Sequence, residues 1–501
     1  MSTYITHYTK SAMVIALLLL ISFSFLTSCT QNSLSTHVYT TDNDSFEAKQ
    51  DWQASEELNA NQLSVGAQRY SRYLPLLEGK RVSLVVNQSS LVRSALVRDN
   101  DLLASSPISA SEIGHAEAES SSSLTAHSRP IQENQPYQHL VDALLQRNVN
   151  LVSIMSPEHG FRGDKGAGEK VNSDIDAKTG LPIHSLYGAT KKPTSDMLEN
   201  TDVIIFDIQD VGVRFYTYLS TLHYVMEAAF VQGIQVVVLD RPNPNGRYVD
   251  GPVLKPEFSS FIGMHPIPVL HGMTLGELAQ MILGEGWLDV DEVSYKNAKL
   301  TVIPIKDYKR TAQYSLPVAP SPNLPNDLSI QLYPTLCFFE GTDVSIGRGT
   351  HFPFQLIGHP DVVFGESQIP VKANSAAPHP KHEDTVLNAH VFTYADPNSF
   401  ESFSPKPANQ EYSPMNGLDI DTLIDTYSRF FEYNKMVSAS DGFEETFFTR
   451  PVFFDKLAGT DALRIQIETG KTPAEIRQSW HKDLKKFREK RKAYLLYEDT
   501  D

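Results

Sequence analysis

The chain has 501 residues, of which 41 % are hydrophobic and 21 % charged. That is an ordinary globular balance with room for two or three domains, and it excludes a disordered or fibrous chain. A formal net charge of −17 excludes a general nucleic-acid binder, because neutralising phosphates requires a basic face.

The N-terminus sets the expected compartment. Lys10 precedes an apolar run, 13–26, that ends in Leu26-Thr27-Ser28-Cys29. A run of about 14 residues is short for a bilayer span but normal for a signal peptide. The last four residues resemble a bacterial lipobox, so residues 1–28 are expected to be removed and Cys29 lipidated. The expected location is a membrane-anchored lipoprotein facing the periplasm, with Thr30 favouring the outer membrane over the inner. Cys337 is the only other cysteine, which leaves the mature chain without an intrachain disulfide or a thiolate metal cluster.

Residues 29–70 are polar and read as a tether. From 71 to 330, short apolar runs alternate with helical patterns: 81–87, 149–155, 202–207 and 235–240 read as strands, and 137–145 and 218–231 as helices. Near-continuous apolar strands separated by helices indicate a parallel sheet covered on both faces, hence a Rossmann-like α/β domain. No G-x-G-x-x-G follows the first strand. A Ser-, Ala- and Glu-rich stretch at about 99–129 reads as a flexible surface insertion, and the polar stretch 366–386 looks similar. Residues 331–501 mix strands, loops and helices and read as a smaller α+β domain. Its last helix is announced by Thr472-Pro473-Ala474-Glu475, a capping box with proline at the first helical position. Ile476, Trp480, Leu484 and Phe487 then give one apolar stripe opposite a lysine- and arginine-rich face, which reads as the solvated side of a packed helix.

Each strand of the first domain ends in polar residues. The first ends in Asn87-Gln88 and the second in Ser156-Pro157-Glu158-His159, followed by Arg162. The third runs into Asp207, Gln209 and Asp210, then Arg214 and Tyr216. The fourth ends in Asp240-Arg241-Pro242-Asn243. Ligands of open parallel sheets bind outside the carboxyl ends of the strands, so these residues should meet at one rim. Carboxylates backed by amides and aromatics suit a sugar, and glycoside cleavage needs a carboxylic acid to protonate the leaving oxygen. Glu158 is the candidate general acid/base, with Asp207 or Asp210 as the second carboxyl group.

Other chemistries find less support. Gly163 to Gly168 has the spacing of a phosphate loop, but Glu169 stands where that loop needs lysine and Lys170 where it needs a hydroxyl. Sixteen histidines include no H-E-x-x-H and no tight His/Asp cluster, so no metal or cofactor is expected. His265 and His271 read as parts of a structural loop. There is no G-x-S-x-G.

The ordered motifs "VVNQSSL", "SPEHGFRGDKGAGE", "TGLPIHSLYG", "DVIIFDIQDVGVRFYTYLSTL", "LDRPNPNG", "GPVL", "GMHPIPVLHGMTLGELA", "LYPTLCFFEGTDVSIGRGT", "PFQLIGHP" and "IRQSWHKDLKKFREKRKAYLLY" resemble the exo-β-N-acetylmuramidase family. The resemblance covers about 75 to 501 apart from the two insertions. It implies release of N-acetylmuramic acid from non-reducing ends of peptidoglycan fragments during wall recycling, in a cleft between a Rossmann-like domain and a smaller C-terminal one. It carries the family's S-P-E-H-G glutamate onto Glu158 and adds Glu340, Ser345 and Arg348 to the cleft. Arg348 or Arg214 is then a candidate for the lactyl carboxylate. The rival expectation from another class is a non-catalytic lipoprotein that binds muropeptides.

Overall fold

The computed structural model describes residues 63–94, 137–157, 160–161, 174–312, 314–394, 403–404, 417–441 and 446–499. The signal peptide, Cys29, most of the tether and the 99–129 insertion lie outside the described residues.

A seven-stranded sheet organises the first half of the chain. Its strands are β1 (Val82–Val86), β2 (Leu151–Ser156), β3 (Asp174–Ile175), β4 (Pro182–Ser185), β5 (Val203–Asp207), β6 (Gln235–Leu239) and β7 (Leu300–Ile303). Their order is β7-β6-β5-β1-β2-β4-β3, and all neighbours are parallel except the short edge strand β3. The chain winds outward from β1 through β2 to β4, then returns to β5 on the other side of β1. That is the Rossmann order, with its switch point between β1 and β5.

The apolar strands are explained by burial on both faces. Val203 and Ile205 share a core with Tyr73 of α1 (Tyr70–Leu77) and Leu144 of α2 (Leu140–Leu145). Ile204 and Phe206 point the other way, into a core with Leu222 of α3 (Tyr218–Val231) and Leu278 of α4 (Leu275–Gly284). Alternating side chains thus feed two cores, as the strand period of two requires.

The second half carries α5 (Asp327–Leu336) and a small antiparallel sheet. The strands β8 (Leu356–His359), β9 (Ser367–Pro370) and β10 (Val386–Val391) lie in the order β8-β10-β9. Helices α6 (Ile420–Asp441), α7 (Pro451–Ala458), α8 (Ala462–Glu468) and α9 (Pro473–Arg491) complete it. The α/β domain with a smaller, partly antiparallel partner agrees with the sequence expectation. So does α9, where the Thr472/Glu475 capping box is formed and Ile476, Trp480, Leu484 and Phe487 are buried. One core runs continuously from Phe206 through Tyr333, Phe338 and Phe354 to Phe454 and Trp480, so the two halves are welded rather than merely tethered.

One expectation needs correction and a second needs refinement. The assigned tether extends too far: Val65, Ala67 and Tyr70 are buried, and the Gly66 amide donates to Asp240 O at 2.8 Å. A Cβ at Gly66 would lie 2.5 Å from Ile303 O, so only glycine lets the chain approach the sheet there. The stretch 366–386 is mostly exposed, but it carries regular structure and a partly buried anchor. It contains β9, and its Lys381 ammonium donates to the carbonyls of Phe339, Thr342 and Val344. Composition marks these residues as solvated and most are, while the Lys381 ammonium, with three donors, is well matched to carbonyls left over at a turn.

Candidate active site

The switch point gathers the residues that follow β1, β5 and β6. Asn87 is the organiser of the first turn. Its Nδ2 donates to Tyr218 Oη at 2.9 Å, its Oδ1 accepts from Ser89 N at 2.9 Å, and its carbonyl meets His139 Nε2 at 2.9 Å. Ser90 Oγ then donates to Asp207 O at 2.5 Å, and Ser89 Oγ accepts from Gln209 N at 2.9 Å, so the ends of β1 and β5 are stitched together. Gln209 Nε2 donates to Asp210 O at 2.8 Å and Pro242 O at 2.7 Å, which adds the end of β6.

The two aspartates of the third cluster differ sharply. Both oxygens of Asp207 are taken by Arg241, at 2.6 Å from Nε and 2.8 Å from Nη2, and the pair is fully buried. Burial presses the Asp207 carboxyl upward against the pull of Arg241, and Arg241 is held further in its charged form. Asp210 has only its Oδ1 engaged, by Gly212 N at 2.6 Å. Its Oδ2 is buried with no hydrogen-bond partner among the described residues. Burial pushes the Asp210 carboxyl up to about 7, against the two backbone amides of Val211 and Gly212. A carboxyl group so tuned exchanges a proton near neutrality. Gly212 has φ +77°, and a Cβ there would fall 1.8 Å from Asn243 Oδ1, so the turn beneath Asp210 admits no side chain.

The remaining predicted rim residues are held by the protein itself. Asp240 accepts from Thr274 Oγ1 at 2.7 Å, Tyr497 Oη at 2.6 Å and Gly276 N at 2.8 Å, and burial raises its carboxyl to about 6. Asn243 bridges Met273 O at 2.9 Å and Asn245 N at 2.8 Å. Arg214 is buried, and among the described residues no acid pairs with it. It donates to Pro252 O and Ile267 O, each at 2.8 Å, and to Leu457 O at 2.7 Å, which clamps α7 onto the first half. Desolvation alone lowers its guanidinium to about 9.

Gln88 and Tyr216 share a target that the sequence did not single out. Gln88 Nε2 and Tyr216 Oη both donate to Pro320 O, at 3.1 and 2.9 Å. The segment around Pro320 therefore leans over the switch point, and its neighbour Asn323 is buried and donates to Ala376 O at 2.8 Å. The signal for it was the proline-punctuated "APSPN", which carries polar residues but no periodicity. Ser156, the last residue of β2, has a buried Oγ with no partner among the described residues.

Glu158, His159 and Arg162 lie outside the described residues. Their described neighbours are well anchored. Gly160 N donates to Pro157 O at 3.3 Å, and Phe161 packs edge-on against His139 with ring centroids 4.7 Å apart. His139 is the residue that bonds the Asn87 carbonyl, so Phe161 sits beside the β1 turn.

From the second half, Arg348 Nε and Nη2 both donate to Glu340 Oε1, at 2.9 and 2.5 Å, and the pair stays partly exposed. An aromatic series connects it to the rim. Tyr216 packs on Tyr333 at 5.8 Å, Tyr333 on Phe354 at 5.0 Å, and Arg348 lies 4.9 Å over Phe354. Ser345 pairs with Gly358 through backbone bonds of 2.9 and 3.0 Å, and its hydroxyl accepts from Gly347 N.

One cluster escaped the sequence reading. Asp343, His359 and His382 bring potential ligand atoms within 4.8 Å of one another. His359 Nδ1 accepts from the amides of Asp361 and Val362, both at 3.1 Å, so its proton sits on Nε2 and is donated to Asp343 Oδ2 at 3.1 Å. A metal-ligating histidine needs the opposite arrangement, with the second nitrogen donating. The cluster is an internal hydrogen-bond network.

Two family models described as exo-β-N-acetylmuramidase NamZ match this chain, the N-terminal one at residues 124–328 and the C-terminal one at 331–497. The chain is 41 % identical over 375 residues to the peptidoglycan β-N-acetylmuramidase NamZ of Bacillus subtilis (strain 168), covering 71 % of this chain and 82 % of that protein. Among solved structures it resembles two DUF1343 family proteins of Bacteroides fragilis. One has a TM-score of 0.66 at 36 % identity, covering 88 % of this chain and all of that one. The other has 0.60 at 27 %, covering 87 and 99 %. With a Rossmann-ordered sheet, a carboxyl-lined switch point and these matches along most of its length, the chain belongs to the exo-β-N-acetylmuramidase NamZ family of glycoside hydrolases.

Proposed function

We propose that this enzyme releases N-acetylmuramic acid from the non-reducing ends of peptidoglycan fragments, with Glu158 as general acid/base and Asp210 as the second carboxyl group. The observation that carries the reading is Asp210 Oδ2, a buried and unengaged carboxyl oxygen at the switch point. Asp207, the other candidate, has both oxygens bound to Arg241 and serves as a structural ion pair. Arg348 uses one edge of its guanidinium on Glu340, which leaves its Nη1 side to meet the lactyl carboxylate. The cleft is formed by the rim of the first half and the Glu340–Arg348 wall of the second.

Glu158→Gln tests the site. With a chromogenic β-N-acetylmuramide as substrate, loss of general acid/base catalysis should lower turnover by about 10²- to 10⁴-fold with unchanged circular dichroism. Wild-type turnover in this variant would remove Glu158 from the mechanism. A wild-type protein that binds muropeptides and forms no product would instead be a binding lipoprotein.

The enzyme is proposed to face the periplasm on a lipid attached to Cys29. No described helix is long and apolar enough to cross a membrane. Cells fed radiolabelled palmitate should label the wild type and leave Cys29→Ser unlabelled; equal labelling would refute the anchor.

A further inference from the structure

Three hydrogen-bond acceptors at the rim are fixed in place with nothing to accept from. Gln209 Nε2 faces two carbonyls, Asp210 O and Pro242 O, so turning the amide over would set oxygen against oxygen. Gln88 is locked in the same way by Pro320 O at 3.1 Å and Ala319 O at 3.4 Å. Asp210 is pinned through Oδ1 by Gly212 N. Gln88 Oε1, Gln209 Oε1 and Asp210 Oδ2 are left buried and without partners among the described residues. An unmet buried acceptor costs about 1–3 kcal/mol, so three at one rim call for a ligand that supplies donors.

No described cation is free beside them. Arg241 is bound to Asp207, and Arg214 to three carbonyls. The set therefore selects O–H and N–H groups and repels a carboxylate or phosphate. Asp210 has only backbone amides against full burial, so a ligand N–H on its bare oxygen would favour the ionised form.

Given the proposed muramide substrate, on which this inference rests, we infer that Asp210 accepts the N–H of the 2-acetamido group while the Gln88 and Gln209 carbonyls accept from the sugar's two free hydroxyls, at C4 and C6, so that the acetamido oxygen is the nucleophile. That oxygen bonds to C1 as the C1–O bond to the leaving sugar breaks, and Glu158 gives its proton to the departing oxygen. The amide proton passes to Asp210, leaving a neutral oxazoline. Water then adds to C1 and gives its proton to Glu158. The C1 bond to the acetamido oxygen opens, and the nitrogen recovers its proton from Asp210. Both carboxyl groups end as they began.

The test compares 4-nitrophenyl β-N-acetylmuramide with its N-fluoroacetyl, N-difluoroacetyl and N-trifluoroacetyl analogues. Fluorine withdraws electrons from the attacking oxygen, so kcat/KM should fall progressively, by about a hundredfold or more across the series. Asp210→Asn should lower kcat on the parent compound by about 10²-fold, in the range for loss of one group that stabilises developing charge. Azide should fail to restore Asp210→Ala. A flat series on an active wild type, or recovery of Asp210→Ala with formation of a glycosyl azide, would make Asp210 the nucleophile and overturn the inference alone. Failure of the wild type to cleave the parent compound would overturn the hydrolase reading, and this one with it.

Discussion

Asp210 carries a stability signature that can be measured apart from its proposed catalytic role. Its carboxyl rises from an ordinary 3.8 to about 7 because burial penalises the charged form. The folded chain thus holds a proton that the unfolded chain has released, and stability falls as pH rises from about 4 through about 7. Each pKa step of one corresponds to about 1.4 kcal/mol, so ionising Asp210 in the fold costs at most about 4 kcal/mol. Asparagine has nearly the same shape and never ionises. Asp210→Asn should therefore match the wild type in urea unfolding at pH 4.5 and exceed it at pH 8, by about 1–4 kcal/mol once water penetration is allowed for. The same variant should lose hydrolysis, which makes it a more stable and less active protein. Equal unfolding midpoints at pH 8 would show that burial does not hold the Asp210 carboxyl above its ordinary range.

Two further substitutions probe the frame around the site. Arg241→Met strands Asp207 with neither oxygen bonded, which should cost about 3–5 kcal/mol in urea unfolding, while Asp207→Asn in the same chain should recover part of it. A loss below about 1 kcal/mol would show that the pair does not hold the β5 and β6 ends together. Tyr497→Phe removes a donor to Asp240 and the acceptor for Ile305 N, so the melting temperature should fall with a loss of about 1–3 kcal/mol. Unchanged melting and unchanged proteolysis of the C-terminal segment would refute a clamping role for the tail.

Much of this architecture was legible because it follows from local chemistry. The runs at β1, β2, β5 and β6 are apolar at successive positions, and only a strand buried on both faces needs that pattern. Helix α9 was readable from Thr472, Pro473 and Glu475, since its capping groups lie within one turn of the sequence. The rim was legible as a set, because polar residues at the carboxyl ends of parallel strands must share an edge. Which members were available was not. Asp207 and Asp210 stand three residues apart in the same polar cluster, yet one is bound by an arginine 34 residues away and the other keeps a bare oxygen. The anchor within 366–386 was hidden for the same reason, since the carbonyls that receive Lys381 lie about forty residues upstream.

The sequence by itself determined the sheet, its helices, the last capped helix and the edge at which polar groups collect. Periodicity and capping depend on neighbours a few residues away, so they can be read along the chain. The tertiary structure alone decided that Arg214 is a clamp across the two halves, that Asp343, His359 and His382 bond one another, and that Gln88, Gln209 and Asp210 keep unmet acceptors. Those outcomes depend on which distant donor reaches a buried polar atom first, and only the packed fold sets that competition.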